Sequence, residues 1–160
     1  MVIADLMTRN VMTCRADDRL DKPAGLMWDY DLGCVPVVDG QQQRVVGIVT
    51  DRDVCMATYT QGKPPHQIFV REAMAHEVYS CLPDDNLTEV EEIMRRRRVR
   101  RVPVVDLDGR LVGLISLNDL ARESARQQTR SRKDLTPLDV SSTLAAICQP
   151  RHPAVLPPTV

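Results

Sequence analysis

Aromatic side chains are scarce in this sequence, at 3% of 160 residues: one Trp, one Phe and three Tyr. A core must therefore be built from Val, Leu, Ile, Met and Ala, and no aromatic stacking platform accompanies the arginine run at 95–101. Net charge is also missing. Twenty-one basic residues against 22 acidic ones leave −1, which points to neither nucleic acid nor an anionic membrane as partner. No apolar run approaches the roughly 20 residues of a membrane span. The opening Met1–Asp5 has no basic leader followed by an apolar stretch, so no secretory signal is expected. The five cysteines are odd in number and lack CxxC spacing. That argues against a disulfide framework or a zinc site, and for reduced thiols in the cytoplasm. His66, His76 and His152 stand apart in loop-like contexts, in no metal-binding pattern. No nucleophile–base pair, P-loop or GxGxxG is found, so the expectation is no catalytic residue, no metal and no enzyme.

What the sequence does contain is itself, twice. Cys34-Val35-Pro36-Val37-Val38-Asp39 returns 67 residues later as Arg101-Val102-Pro103-Val104-Val105-Asp106. The same offset aligns Met7 with Met74, Asp18 with Asp85, Leu20 with Leu87 and Met27 with Met94. After one deletion, Val46-Gly47 matches Val112-Gly113 and Asp53 matches Asp119. Each copy reads strand, helix, strand, strand, helix. Short strands are expected at 11–14 and 78–81. Helices follow, capped by Asp18 in copy one and by Asp85 or Asn86, with Glu89, in copy two. Hairpins run over 35–50 and 102–116, with Asp39-Gly40 and Asp108-Gly109 in the turns. Second helices follow near 51–60 and 117–128. One copy is too small to bury a good core, so the two are expected to share one, sheets face to face. The expected divisions are repeat 1 at 1–62, a linker at 63–70, repeat 2 at 71–128 and an extension at 129–160. In the extension Thr136-Pro137 opens a helix over 137–148, with Leu138, Leu144, Ala145 and Ile147 as its apolar residues and a disordered end beyond.

Chemistry concentrates where the last strand of each copy meets the next helix. Gly47-Ile48-Val49-Thr50-Asp51-Arg52-Asp53 and Gly113-Leu114-Ile115-Ser116-Leu117-Asn118-Asp119 share Gly, two apolar residues, a hydroxyl and an Asp three residues on. The plain reading is a capping pair. The same geometry suits a nucleotide: free N–H groups attract phosphate, the hydroxyl donates to it, and the Asp can accept from a ribose diol. Glycine permits close backbone approach.

With these residues in view, the duplicated pattern resembles a tandem pair of CBS domains over roughly residues 2–125. The resemblance implies an α/β (α+β) pseudo-symmetric pair with two clefts that bind AMP, ADP, ATP or related adenosyl ligands, with or without Mg²⁺. Carried over, Thr50 and Asp53 serve one cleft, and Ser116 and Asp119 the other. Val35-Pro36 and Val102-Pro103 line the base pockets, and Thr13 and Ser80 lie near the first strands. Arg100 or Arg101 supplies a cation to phosphate, where copy one has Gly33-Cys34, and Arg52 helps on the copy-one side. The implied role is a regulatory sensor that acts in trans on a target protein and pairs as a disc-like homodimer. Two alternatives compete. One is a structural or partner-binding dimer with degenerate clefts. The other is nucleic-acid binding through the arginine run at 95–101.

Overall fold

The computed structural model describes residues 1–127 and 136–148. The first repeat holds α1 (Asp21–Asp29), β1 (Cys34–Val38), β2 (Val45–Thr50) and α2 (Asp51–Gln61). The second repeats the order with α3 (Leu87–Arg97), β3 (Arg101–Val105), β4 (Leu111–Ser116) and α4 (Leu117–Gln127), and α5 (Pro137–Ile147) follows. Each repeat forms an antiparallel hairpin, β1–β2 and β3–β4, with a register shift at the same place, Val37/Val38 and Val104/Val105. The aspartate ending each Val-Val-Asp run organises its turn. Asp39 Oδ1 accepts from the Gln42 and Arg44 amides, and Asp106 Oδ1 from those of Asp108 and Arg110. The turns also join the repeats, since Val45 N donates to Gly109 O and Leu111 N to Gln43 O.

The expected strands at 11–14 and 78–81 shrink to single parallel rungs, Cys14 on Val37 and Cys81 on Val104. Cys14 N donates to Pro36 O and Val38 N to Cys14 O, and Cys81 repeats this with Pro103 and Val105. The next rung would need the N–H of residue 36 or 103. Both are proline, so the ladder stops. Asp18 does not cap α1 either. Its Oδ2 accepts from Arg15 N at 2.7 Å, as Asp85 Oδ2 does from Leu82 N, and both carboxylates hold the preceding turn. In the second repeat Asn86 and Glu89 form the expected capping box on α3.

The core is not one shared layer but two clusters, and an exchange closes each. Ile3 and Met7, at the head of the first repeat, lie in the cluster of the second with Leu87, Val90, Met94, Val102 and Ile115. Ile68, Val70 and Met74, at the head of the second, lie in the cluster of the first with Leu20, Val35, Val37 and Val49. The hydrogen bonds obey the internal symmetry. Ile3 N donates to Asp85 O and Ala4 N to Pro83 O, while Val70 N donates to Asp18 O and Arg71 N to Ala16 O. Thr8 and Leu114 exchange N–H···O bonds in both directions at 2.9 Å, as Ala75 and Ile48 do at 2.9 and 3.1 Å. Neither repeat completes its core alone, which is how a small unit escapes its unfavourable surface-to-volume ratio.

α5 begins where expected, with a capping box between Thr136 and Asp139. It packs on α3 and α4, and of its four expected apolar residues only Ile147 is buried. Val140, Thr143 and Ile147 face inward, while Leu138 is 72% and Leu144 45% exposed. Ala145 is exposed too. The tail end at 151–160, expected to be disordered, lies outside the described residues.

Candidate functional site

Each signature folds into the same compact device. Thr50 N and Oγ1 both donate to Asp53 Oδ2, at 2.9 and 2.7 Å, and Asp53 N donates back to Thr50 Oγ1 at 3.2 Å. Ser116 and Asp119 do the same, with Oγ to Oδ2 at 2.5 Å and amide to Oδ2 at 2.8 Å. The hydroxyl and aspartate are thus the caps of α2 and α4. Such caps contribute about 1 kcal/mol each.

The two devices differ in what remains. Among the described residues Asp53 Oδ1 has no protein partner, and the residue is half-buried. Asp119 is 8% exposed, and its Oδ1 is taken by the Arg122 guanidinium. The i,i+3 spacing of Asp119 and Arg122 was a sequence signal for that pair.

Arg101 marks a second difference. It is half-buried, and its guanidinium crosses to the first repeat to lie on Gly33, where a Cβ would stand 2.4 Å from Nη2. Glycine there is what admits it. Gly33 precedes Cys34, whose register partner is Thr50, so this cation sits one residue from the strand pair leading into α2. The Cys34 thiol is pushed up to about 11 by burial, with the Arg101 cation drawing it down and the Asp51 carboxylate pushing it up. Opposite charges therefore converge at the α2 entrance.

The other expected positions fall as follows. Val35 and Val102 have 0% exposure and belong to the two cores. Pro36 and Pro103 are buried as well. Thr13 is half-buried and Ser80 exposed, each one residue before its parallel rung. Arg52 and Arg100 are exposed, and Arg100 O accepts from Leu117 N at 2.9 Å. In the arginine run, Arg95 and Arg96 share Glu92, and Arg97 lies over the Tyr79 ring at 4.5 Å. Arg98 ends α3 in the left-handed region. Arg95, Arg96 and Arg97 thus have partners on their own helix and the loop before it.

The signature glycines receive protein, not ligand. A Cβ on Gly47 would meet Met74 Sδ at 2.6 Å and Ala75 O at 3.0 Å, and one on Gly113 would meet Met7 Sδ at 2.5 Å. They accommodate the exchanged head segments, and the alignment of Met7 with Met74 was the sequence trace of this. Among the described residues no three His, Cys, Asp or Glu side chains gather as a metal site, and no helix is long and apolar enough to cross a membrane.

A duplicated α/β unit, each copy a hairpin running into a capped helix, with the head segments exchanged, defines a paired-repeat module. The CBS domain model matches twice, at residues 3–59 and 70–126, and the chain belongs to the CBS-domain family. It is 35% identical over 119 residues to the CBS domain-containing protein YhcV of Bacillus subtilis, covering 74% of this chain and 82% of that one. A putative signal-transduction protein with CBS domains from Burkholderia ambifaria shares the fold with a TM-score of 0.72 at 28% identity, over 82% of this chain and 98% of that one. The CBS domain pair of protein MJ0100, solved with 5′-methylthioadenosine and S-adenosyl-L-methionine, also superposes with a TM-score of 0.72. It is 23% identical over 79% of this chain and 98% of that one.

Proposed function

We propose that the chain is a non-enzymatic sensor of an adenosine-type ligand, AMP, ADP, ATP or an adenosyl relative, and that it regulates a target protein in trans as a homodimer. The observation that carries this reading is the α2 entrance. There, Thr50 opens α2, Asp53 Oδ1 has no protein partner among the described residues, and the Arg101 guanidinium lies on Gly33, next to Cys34, the register partner of Thr50. Phosphate suits the helix N-terminus and the cation, and a ribose diol suits Asp53 Oδ1. The α4 entrance is the poorer site because Arg122 already holds the matching oxygen. The adenosyl compounds bound by the MJ0100 pair support the ligand class. Five free cysteines fit a reducing, cytoplasmic compartment.

Isothermal titration calorimetry with AMP, ADP, ATP and S-adenosylmethionine tests it. Micromolar binding is expected, weakened at least tenfold by Asp53→Asn and by Arg101→Ala and little changed by Asp119→Asn. No heat from folded, nucleotide-free protein with any of the four would leave a dimer with degenerate clefts as the better reading.

A further inference from the structure

The two repeats differ in what covers their helices. α5 lies across α3 and α4, seating Val140, Thr143 and Ile147. Among the described residues no helix covers the corresponding face of the first repeat in this way. Trp28 on α1 is 88% exposed, and Met56 and Tyr59 on α2 are 45% and 80% exposed. α5 in turn is apolar on two sides. It carries one charge, Asp139, in 11 residues, and it points Leu138 and Leu144 at solvent. Its exposed residues set Leu138, Leu144 and Ala145 among Ser141 and Ser142, so the outer side carries apolar area with few charges to keep it in water.

We infer that a second copy supplies both covers: the outer side of α5 seats on the α1–α2 face of its partner, twice about a two-fold axis. This rests on the homodimer reading above and fixes its faces and direction. The internal duplication supports it, because α5 already packs on the α3–α4 counterpart of that face. Charge supports it as well. Asp29 and Asp31 stand at the C-terminal end of α1, where acid opposes the helix dipole. α3, beneath α5, ends in Arg95 and Arg96, whose side chains are 52% and 75% exposed. Antiparallel pairing brings repeat 1 against repeat 2 and acid toward base, whereas parallel pairing sets acid against acid. The contact is self-complementary and closes at two copies.

Two exposed thiols give the test, Cys55 on α2 and Cys148 at the end of α5, since the other three are buried. A short bismaleimide is added to Cys55→Ser, to Cys148→Ser and to their equal mixture. Covalent dimer is expected in the mixture and in neither variant alone. Leu138→Asp is expected to raise the dimer dissociation constant at least about tenfold by sedimentation, with unchanged circular dichroism. The emission of Trp28, the sole tryptophan, should shift red as the dimer parts. Cross-linking of Cys148→Ser alone, through paired Cys55 residues, would overturn the arrangement and leave the homodimer standing. A monomer at every concentration would overturn both.

Discussion

Gly113→Ala isolates the exchange of head segments, because the glycine is needed there for space alone. Its backbone is not in the left-handed region, so alanine meets no conformational strain. The added Cβ would stand 2.5 Å from Met7 Sδ, 3.0 Å from Met7 Cγ and 3.2 Å from Thr8 O. Met7 is 8% exposed and packed within the second core, so it has little room to retreat. Thr8 O is backbone and holds one of the two bonds to Leu114. Overpacking of this kind costs about 1–3 kcal/mol, and a weakened hydrogen bond adds about 1 kcal/mol. A loss of roughly 2–4 kcal/mol is expected in urea unfolding, or roughly 4–16 °C in melting temperature for a chain of this length. Pairing the change with Met7→Ala sharpens the reasoning. Met7→Ala alone costs about 2–5 kcal/mol through the cavity it leaves, but it also removes the atoms the new Cβ meets. The double variant should therefore lose less than the sum of the two, by about 1 kcal/mol or more. Strict additivity, or a Gly113→Ala loss below about 0.5 kcal/mol, would refute the claim that this glycine exists to receive Met7.

Two further outcomes follow from titratable groups. Glu91 lies half-buried on α3 with Oε1 buried and unbonded. Burial pushes its carboxyl up to about 7 from 4.5, the nearby Asp139 carboxylate adds to this, and Arg95 opposes it. A carboxyl raised on folding stabilises most below its unfolded value, so stability should fall as pH rises from about 4.5 through about 7. Glu91→Gln should flatten that slope in urea titrations across the window, and an unchanged slope would remove Glu91 as its source. Burial also pushes Cys14 and Cys81 up to about 12 and Cys34 up to about 11. Native protein at pH 8 should therefore release colour from Ellman's reagent in a fast phase of two thiols, Cys55 and Cys148, with three more only on unfolding. Five fast thiols would contradict the buried placement.

Features decided within a few residues were legible in the sequence. The Thr50–Asp53, Ser116–Asp119 and Asn86–Glu89 boxes and both hairpins depend on neighbours three to sixteen positions apart, and each forms. The exchange was not legible, because its rungs join backbone groups such as Ile3 N and Asp85 O that carry no side-chain signal. Only the paired Met7/Gly113 and Met74/Gly47 left a trace, and it read equally well as ligand space. The inward side of α5 was hidden for another reason. Leu138, Val140, Leu144, Ala145 and Ile147 are spread round the helix and the buried side includes Thr143, so periodicity does not single out one apolar face. The contrast between Gly33 and Arg101 could be seen, but not that Arg101 reaches over to the other repeat's strand.

The box of α5 shows how little the signature alone says. Thr136 and Asp139 reproduce its hydrogen bonds, with amide and hydroxyl to Oδ2 at 2.8 and 2.6 Å and the amide of Asp139 returning at 3.3 Å. Yet α5 starts outside both matched domains. A hydroxyl with an aspartate three residues on is therefore, physically, a way to begin a helix. What can turn that beginning into a binding site is whatever surrounds the second aspartate oxygen. At Asp119 it is an arginine of the same helix, which satisfies the carboxylate and leaves a ligand less to gain. At Asp53 the oxygen has no protein partner among the described residues, and a cation from the other repeat lies on Gly33, beside the strand that pairs with the one leading into the same helix. A ligand there would touch both repeats at once and would report their relative position. A ligand confined to one capping box would not.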